Sequence, residues 1–190
     1  EDDKLHSLKP FGEHKLRPCV FEYIYFSRPD SFLRGKTAYE YRKNLGKELA
    51  REDTVDADLV VPVPDSGNAA AIGYSHEKKI NFELGLIRNH YVGRTFIEPG
   101  QQIRSLGVKL KLNANKSSIE GKSIILVDDS LVRGTTSHKI VNMLYDAGAK
   151  EVHLRIACPE IKYPDFYGVD MPTKKELLAA NKSVEEICEY

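Results

Sequence analysis

The sequence predicts an α/β protein with a mainly parallel central sheet flanked by helices. Three observations carry that expectation. Short apolar runs at 58–64, 123–127 and 151–157 alternate with helical patterns. Two of these runs pass straight into turns rich in Asp, Ser and Gly, at 64–67 and 128–136. Helical patterns start directly after both turns, as a strand–turn–helix unit requires. A chain of 190 residues is long enough to bury a real core, and 1–190 is read as one domain.

Residues 1 to 17 are polar and irregular. "VFEYIYF" (20–26) is rich in β-branched and aromatic residues, which predicts a strand. "RPDS" turns the chain. In "TAYEYRKNLGKELARE" (37–52), Tyr41, Leu45 and Leu49 recur every fourth residue and predict a helix with one apolar stripe. "DLVVPVP" (58–64) reads as a strand, and "DSGNAAAIGYS" as a small-residue turn that opens a helix. "INFELGLI" (80–87) predicts another strand.

Residues 88–115 show Gly and Pro punctuation without a clean period, which predicts a long loop holding a short strand or two. Such a loop inside a compact domain is functional or mobile. "SIILV" (123–127) is the clearest buried strand. "SHKIVNMLYDAG" (137–148) is an amphipathic helix with Ile140, Val141 and Leu144 on one side. Gly148 stands where a helix end favours a left-handed residue. "EVHLRIA" (151–157) is the next strand, and the tail has helical pieces near 173–180 and 183–189.

Composition removes several function classes. Net charge is zero, with 29% charged and 41% hydrophobic residues, so no global field draws the chain to nucleic acid or an anionic membrane. No apolar run is long enough to span a bilayer, and no signal-peptide pattern is present. Three dispersed cysteines, Cys19, Cys158 and Cys188, read as reduced thiols of a cytoplasmic protein. Without a CxxC pair or clustered histidines, a zinc site is not expected.

The chemistry gathers in the two turns. In "VDDSLVRGTTS" (127–137) a buried strand runs into Asp128 and Asp129, then Ser130, Gly134, Thr135, Thr136 and Ser137. A helix N-terminus leaves free N–H groups and a partial positive charge. Glycine lets backbone approach an anion, and threonine adds donors, which together make a phosphate cup. Two adjacent carboxylates repel unless a cation or hydroxyl donors share them. Either the vicinal hydroxyls of a sugar or a hydrated Mg2+ satisfies that need. The plainer alternative is that Asp129 caps a turn and the Thr-Thr-Ser group caps a helix. The first turn, Asp65-Ser66-Gly67, also lies between strand and helix and offers N–H groups to a second phosphate. The loop after it carries Arg88, Arg94, Arg104, Lys109 and Lys111 against Glu98, a basic set suited to closing over a polyanion.

"VDDSLVRGTTS" resembles the phosphoribosyl pyrophosphate (PRPP) motif of type I phosphoribosyltransferases. "RPCVFEYIYFSRPDS" (17–31), "NHYVGRTFIEPGQQIR" (89–104), "KLNAN" (111–115) and "PDFYGVDMP" (164–172) extend the resemblance to the glutamine PRPP amidotransferases, from about Leu8 to the end. The resemblance implies the type I phosphoribosyltransferase fold with a long flexible loop. It implies a glycosyl transfer in which PRPP and ammonia give 5-phosphoribosylamine and pyrophosphate, the first step of de novo purine synthesis. It places Asp128 and Asp129 on the ribose hydroxyls and Mg2+, with Ser66 third near the metal. Residues Val132, Arg133, Gly134, Thr135, Thr136 and Ser137 go to the sugar 5-phosphate, Asp65, Ser66 and Gly67 to the pyrophosphate, and Ser130 is a further substrate-binding position. Tyr91, Arg94 and Lys111 become the catalytic contacts of a loop that orders over PRPP.

The departures carry expectations of their own. The family's glutaminase half opens with a catalytic cysteine and precedes the matched segment, whereas residue 1 here is Glu. The chain is therefore expected to take free ammonia, or ammonia from a separate glutaminase chain, and to be a shortened family member. Cys19 matches one of four iron–sulfur ligand positions and the second falls at Asp165, so no cluster is expected. His90 stands where the family pattern has arginine. Purine nucleotide inhibitors and a homo-oligomer are implied by resemblance alone. The alternatives are a non-catalytic PRPP-binding module and an inactive fragment.

Overall fold

The computed structural model describes residues 6–8, 10–13, 15, 17–89, 91, 111–165 and 173–189. Its core is a parallel four-stranded sheet built from β3 (Leu59–Pro62), β4 (Asn81–Phe82), β7 (Ser123–Asp128) and β8 (Glu151–Ile156), in the order β4-β3-β7-β8. Helix α2 (Asn68–Lys78) makes the crossover from β3 to β4, and α4 (Thr135–Asp146) the one from β7 to β8. Strand β7 is buried along its whole length because both faces are covered. Ile124 and Leu126 point to one side, against Ile140 and Leu144 of α4. Ile125 and Val127 point to the other, against Ala70, Ala71 and Tyr74 of α2. Burial on both faces explains why the run from Ile124 to Val127 carries no polar residue.

Helix α1 (Ala38–Glu52) starts at a capping box: Thr37 Oγ1 accepts from the Glu40 N–H, and the Glu40 carboxylate accepts from the Thr37 N–H at 2.9 Å. Its buried stripe is not the expected Tyr41, Leu45 and Leu49, which are half-buried, but Ala38, Arg42, Gly46 and Ala50. The reason is the partner. A Cβ on Gly46 would lie 1.8 Å from the Ala70 carbonyl oxygen, and one on Gly73 1.9 Å from that of Lys43. The two helices touch backbone to backbone, so small residues occupy the seam.

Three further expectations are corrected. Residues 20–26 form no strand: Glu22–Phe26 is a π-helical turn, with Phe21 and Ile24 buried on one face. The Arg42 guanidinium donates to the carbonyls of Tyr23 (2.9 Å) and Ser27 (2.7 Å) and holds that turn on α1. Residues 80–87 are two strands rather than one. Gly85 separates β4 from β5 (Leu86–Arg88), and a Cβ there would press on Ile119 and Val61, so only glycine makes the bend. Strand β5 pairs antiparallel with β6 (Leu112–Ala114), with Arg88 opposite Leu112. The predicted loop therefore leaves and returns through a two-stranded base. The helix placed at 137–148 begins at Thr135, and Gly148 has the expected left-handed φ of 96°.

Short elements complete the chain: the β1–β2 hairpin (Phe32–Leu33, Lys36–Thr37), α3 (Lys116–Ile119), a 3-10 turn at Lys174–Glu176, α5 (Leu178–Asn181) and α6 (Val184–Cys188). The tail packs Leu177 into a small cluster with Phe21, Ile24, Cys158 and Ile161. Behind the sheet, Asp53 anchors α1 to β8. Its carboxylate accepts from Arg155 Nη2 and the Val55 N–H, both at 2.9 Å, and from the Tyr74 hydroxyl at 2.6 Å. Burial alone would raise the Asp53 pKa, but these donors outweigh it and hold the carboxyl well below its usual range.

Candidate functional site

The two chemistry-bearing turns leave the carboxyl ends of β3 and β7, which are neighbours in the sheet. They are stitched together. The Val63 N–H donates to the Val127 carbonyl, and the Gly67 N–H to the Val63 carbonyl, each at 2.9 Å. The Pro64–Asp65 peptide bond is cis. Gly67 lies so close to both strands that a Cβ would sit 2.5 Å from the Val127 oxygen and 2.9 Å from that of Val63. The absence of a side chain at Gly67 is thus a packing requirement. Asp65 is exposed and ion-paired with Arg88 at the end of β5, which brings the loop base beside the first turn.

Asp128 ends β7, and both it and Asp129 are buried, at 8% and 6% exposure. The two residues after β8 fix their backbone: the Ala157 N–H donates to the Asp128 carbonyl (3.0 Å) and the Cys158 N–H to that of Asp129 (2.9 Å). The Asp129 N–H donates to Asp128 Oδ1 at 2.8 Å. Burial first, and then the neighbouring Asp129 charge, push the Asp128 carboxyl up to about 8. Burial also raises Asp129, opposed by hydrogen bonds from the Ser130 and Ser66 hydroxyls and by the Arg42 charge. The pair therefore lacks enough positive charge of its own, the condition that favours a cation or hydroxyl donors from a ligand.

That imbalance has a measurable consequence. A carboxyl whose folded pKa lies above its unfolded value of about 4 keeps its proton only in the folded state at intermediate pH. Its contribution is complete below that unfolded value and is lost as pH rises through about 8. In urea titrations without ligand or divalent cation, the wild type is expected to lose stability between pH 6 and pH 8.5. Asp128→Asn should flatten the decline and exceed the wild type at the upper pH by about 1 kcal/mol or more. Parallel curves for the two proteins would contradict the assignment.

Beyond the acidic pair the chain forms a turn whose geometry suits an anion. Gly134 takes a left-handed φ of 77° and leads into α4, and no side chain caps the helix. The capping alternative for the Thr135-Thr136-Ser137 group therefore does not describe this helix end. Thr135 and Thr136 are exposed in its first turn, whereas Ser137 is buried. First-turn N–H groups without a side-chain cap, at the positive end of a full-length helix, suit a phosphate. Two expected contacts point elsewhere. Arg133 is ion-paired with Glu176 at 2.6 Å, and Val132 packs toward the tail cluster.

Of the expected loop residues, Tyr91 is fully exposed with its N–H on Asn89 Oδ1, and Lys111 follows at the β6 end, its carbonyl accepting from the Asn89 N–H at 2.7 Å. His90, Arg94, Glu98, Arg104 and Lys109 lie outside the described residues. Sequence reasoning missed Arg42, whose signal was a charge in the small-residue stripe of α1. It also missed Asn68, whose Oδ1 is buried without a hydrogen-bond partner at the start of α2. Cys158 is pushed up to about 12 by burial and then by Asp129, so it is an inert thiol. Cys19 is raised by burial and by a hydrogen bond with Asp165.

Comparison with known proteins places this arrangement in a lineage. No family model matches the chain. It is 59% identical over 183 residues to an amidophosphoribosyltransferase of Rhizobium etli, covering 96% of this chain and 37% of that protein. It is 60% identical over 169 residues to one of Methanocaldococcus jannaschii, covering 89% and 36%. Among solved structures, glutamine PRPP amidotransferase from Bacillus subtilis, complexed with ADP and GMP, superposes with a TM-score of 0.79 at 56% identity, over 90% of this chain and 38% of that one. The chain thus spans little more than a third of the length of the relatives it matches. With a parallel sheet, a two-turn arrangement and this identity along nearly all of its length, the chain corresponds to the phosphoribosyltransferase part of the amidophosphoribosyltransferases.

Proposed function

We propose that this chain, as a single phosphoribosyltransferase domain, catalyses displacement of pyrophosphate from C1 of PRPP by ammonia, giving 5-phosphoribosylamine for purine synthesis. The observation that carries the proposal is the buried Asp128–Asp129 pair leading directly into the uncapped start of α4. One end of that loop suits ribose hydroxyls and the other suits the 5-phosphate. Asp65, Ser66 and Gly67 then face the pyrophosphate from the neighbouring strand.

Breaking the C1–O bond builds positive charge on the ribose and negative charge on pyrophosphate. The carboxylates near the sugar favour the first. The backbone N–H groups of the Asp65–Gly67 turn and the cations of the loop, with Tyr91, Arg94 and Lys111 among its contacts, favour the second and exclude water. Ammonia is already a nucleophile, so it needs a positioned approach rather than a strong base. The donor set also fits Mg2+. Asp128 and Asp129 are hard oxygen ligands short of positive charge, with Ser66 beside them. Among the described residues no group of three or more metal-binding side chains forms, so PRPP and water would complete the coordination. When bound, Mg2+ neutralises charge on the leaving pyrophosphate.

The relatives' names support the reaction, and the Bacillus subtilis complex with ADP and GMP supports purine nucleotides as inhibitors. A homo-oligomer and a cytoplasmic location belong to the same proposal; among the described residues no helix is long and apolar enough to cross a membrane. The test is pyrophosphate release from PRPP with Mg2+ and ammonium. Release is expected to rise with pH as ammonium yields free ammonia. Saturable PRPP binding without release would instead make the chain a binding module.

A further inference from the structure

The tail of the chain does more than close the fold. We propose that Lys174–Asn181 is a strap that holds the phosphate cup in its binding shape, with Leu177 as its positioning residue. Three neighbouring residues of the strap each grip the cup. The Leu178 N–H donates to the Val132 carbonyl at 2.8 Å. Glu176 pairs with Arg133 at 2.6 Å. Leu177, only 1% exposed, packs in the cluster that takes in Val132 and Cys158.

The cup needs this support. Gly134 is a flexible residue in a left-handed conformation, and no side chain caps α4. A ring of N–H groups binds an anion well only if its geometry is set beforehand. The strap is knotted on itself so that it can resist deformation. Asn181 Nδ2 is shared among the carbonyls of Leu177 (2.7 Å), Lys174 (2.9 Å) and Lys175 (3.2 Å). It also reaches the other end of the loop, since Cys158, in the same cluster, donates its N–H to the Asp129 carbonyl. The Arg133–Glu176 pair acts here as a tether. Its half-exposed charges contribute little stability, but they turn the one cation of the cup toward the strap and leave anion binding to the backbone.

The inference rests on the reading of residues 132–137 as the 5-phosphate site. The test measures KM for PRPP, kcat and thermal unfolding in Leu177→Ala, Leu177→Met and Asn181→Ala. Leu177→Ala is expected to raise KM about tenfold with kcat within about twofold, and Leu177→Met to restore it. Asn181→Ala, which loosens the strap at a distance from the cup, is expected to raise KM about threefold and decides the matter if Leu177→Ala fails to fold. Folded variants with the wild-type KM, or with a lowered kcat at unchanged KM, would overturn the strap. Wild-type protein with no saturable PRPP binding would overturn the phosphate-site reading itself, and the strap's function with it.

Discussion

The double variant Asp128→Asn, Asp129→Asn is expected to lose PRPP turnover by about a thousandfold or more while folding at least as stably as the wild type. Both halves of that result follow from one arrangement. The carboxylates are buried side by side at the end of β7, with both pKa values raised and only partial relief from Ser66, Ser130 and Arg42. In the free protein they are a cost. Two neutral amides of the same shape remove the repulsion and the buried charge together. In the proposed complex they would receive the ribose hydroxyls and Mg2+, and an amide offers neither the charge nor two equivalent acceptor oxygens. Pyrophosphate release and urea denaturation on the same preparation check the prediction. Near-normal turnover, or a clear loss of stability, would mean that the pair serves the fold rather than the substrate.

Gly67→Ala should be the most damaging single methyl at the site. Its Cβ would meet two backbone oxygens, Val127 at 2.5 Å and Val63 at 2.9 Å, and neither can rotate away. The turn must move off the ends of β3 and β7. Relief of such overpacking costs about 1–3 kcal/mol. Because Val127 immediately precedes Asp128, the shift falls on both halves of the site, and PRPP affinity should drop about tenfold or more. Gly46→Ala is the control. It meets the Ala70 oxygen at 1.8 Å, in the α1–α2 seam. It should lower the unfolding temperature at least as much, but leave the KM of the folded protein close to wild type. Equal KM effects from the two glycines would show that Gly67 acts only through global stability.

The arrangement of the candidate site was legible in the sequence because its signals are local. An apolar strand, an acidic pair, a glycine and a cluster of hydroxyls follow one another within 124–137, and the chain cannot separate what its covalent order joins. The parallel sheet was legible for the same reason: each strand–helix unit announces itself through its own period. Signals set by a distant partner were not. The run at 20–26 has strand composition, yet Arg42 of α1 supplies the donors that keep it helical. The buried stripe of α1 was misplaced because α2 selects for small residues, which the apolar periodicity of Tyr41, Leu45 and Leu49 does not report. Gly85 split an apparently continuous strand through contacts with Val61 and Ile119 that are remote in sequence. Arg133, expected on a phosphate, is held by Glu176 of the tail. In each case the deciding atom belongs to another element.

A crystal of the chain grown with PRPP and Mg2+ would be the most direct measurement. The proposed chemistry predicts ribose hydroxyls and the metal at the Asp128 and Asp129 carboxylates, with the 5-phosphate on the first-turn N–H groups of α4 and the pyrophosphate against Asp65–Gly67. Ligand density lodged elsewhere, with the acidic pair and the start of α4 untouched, would contradict it.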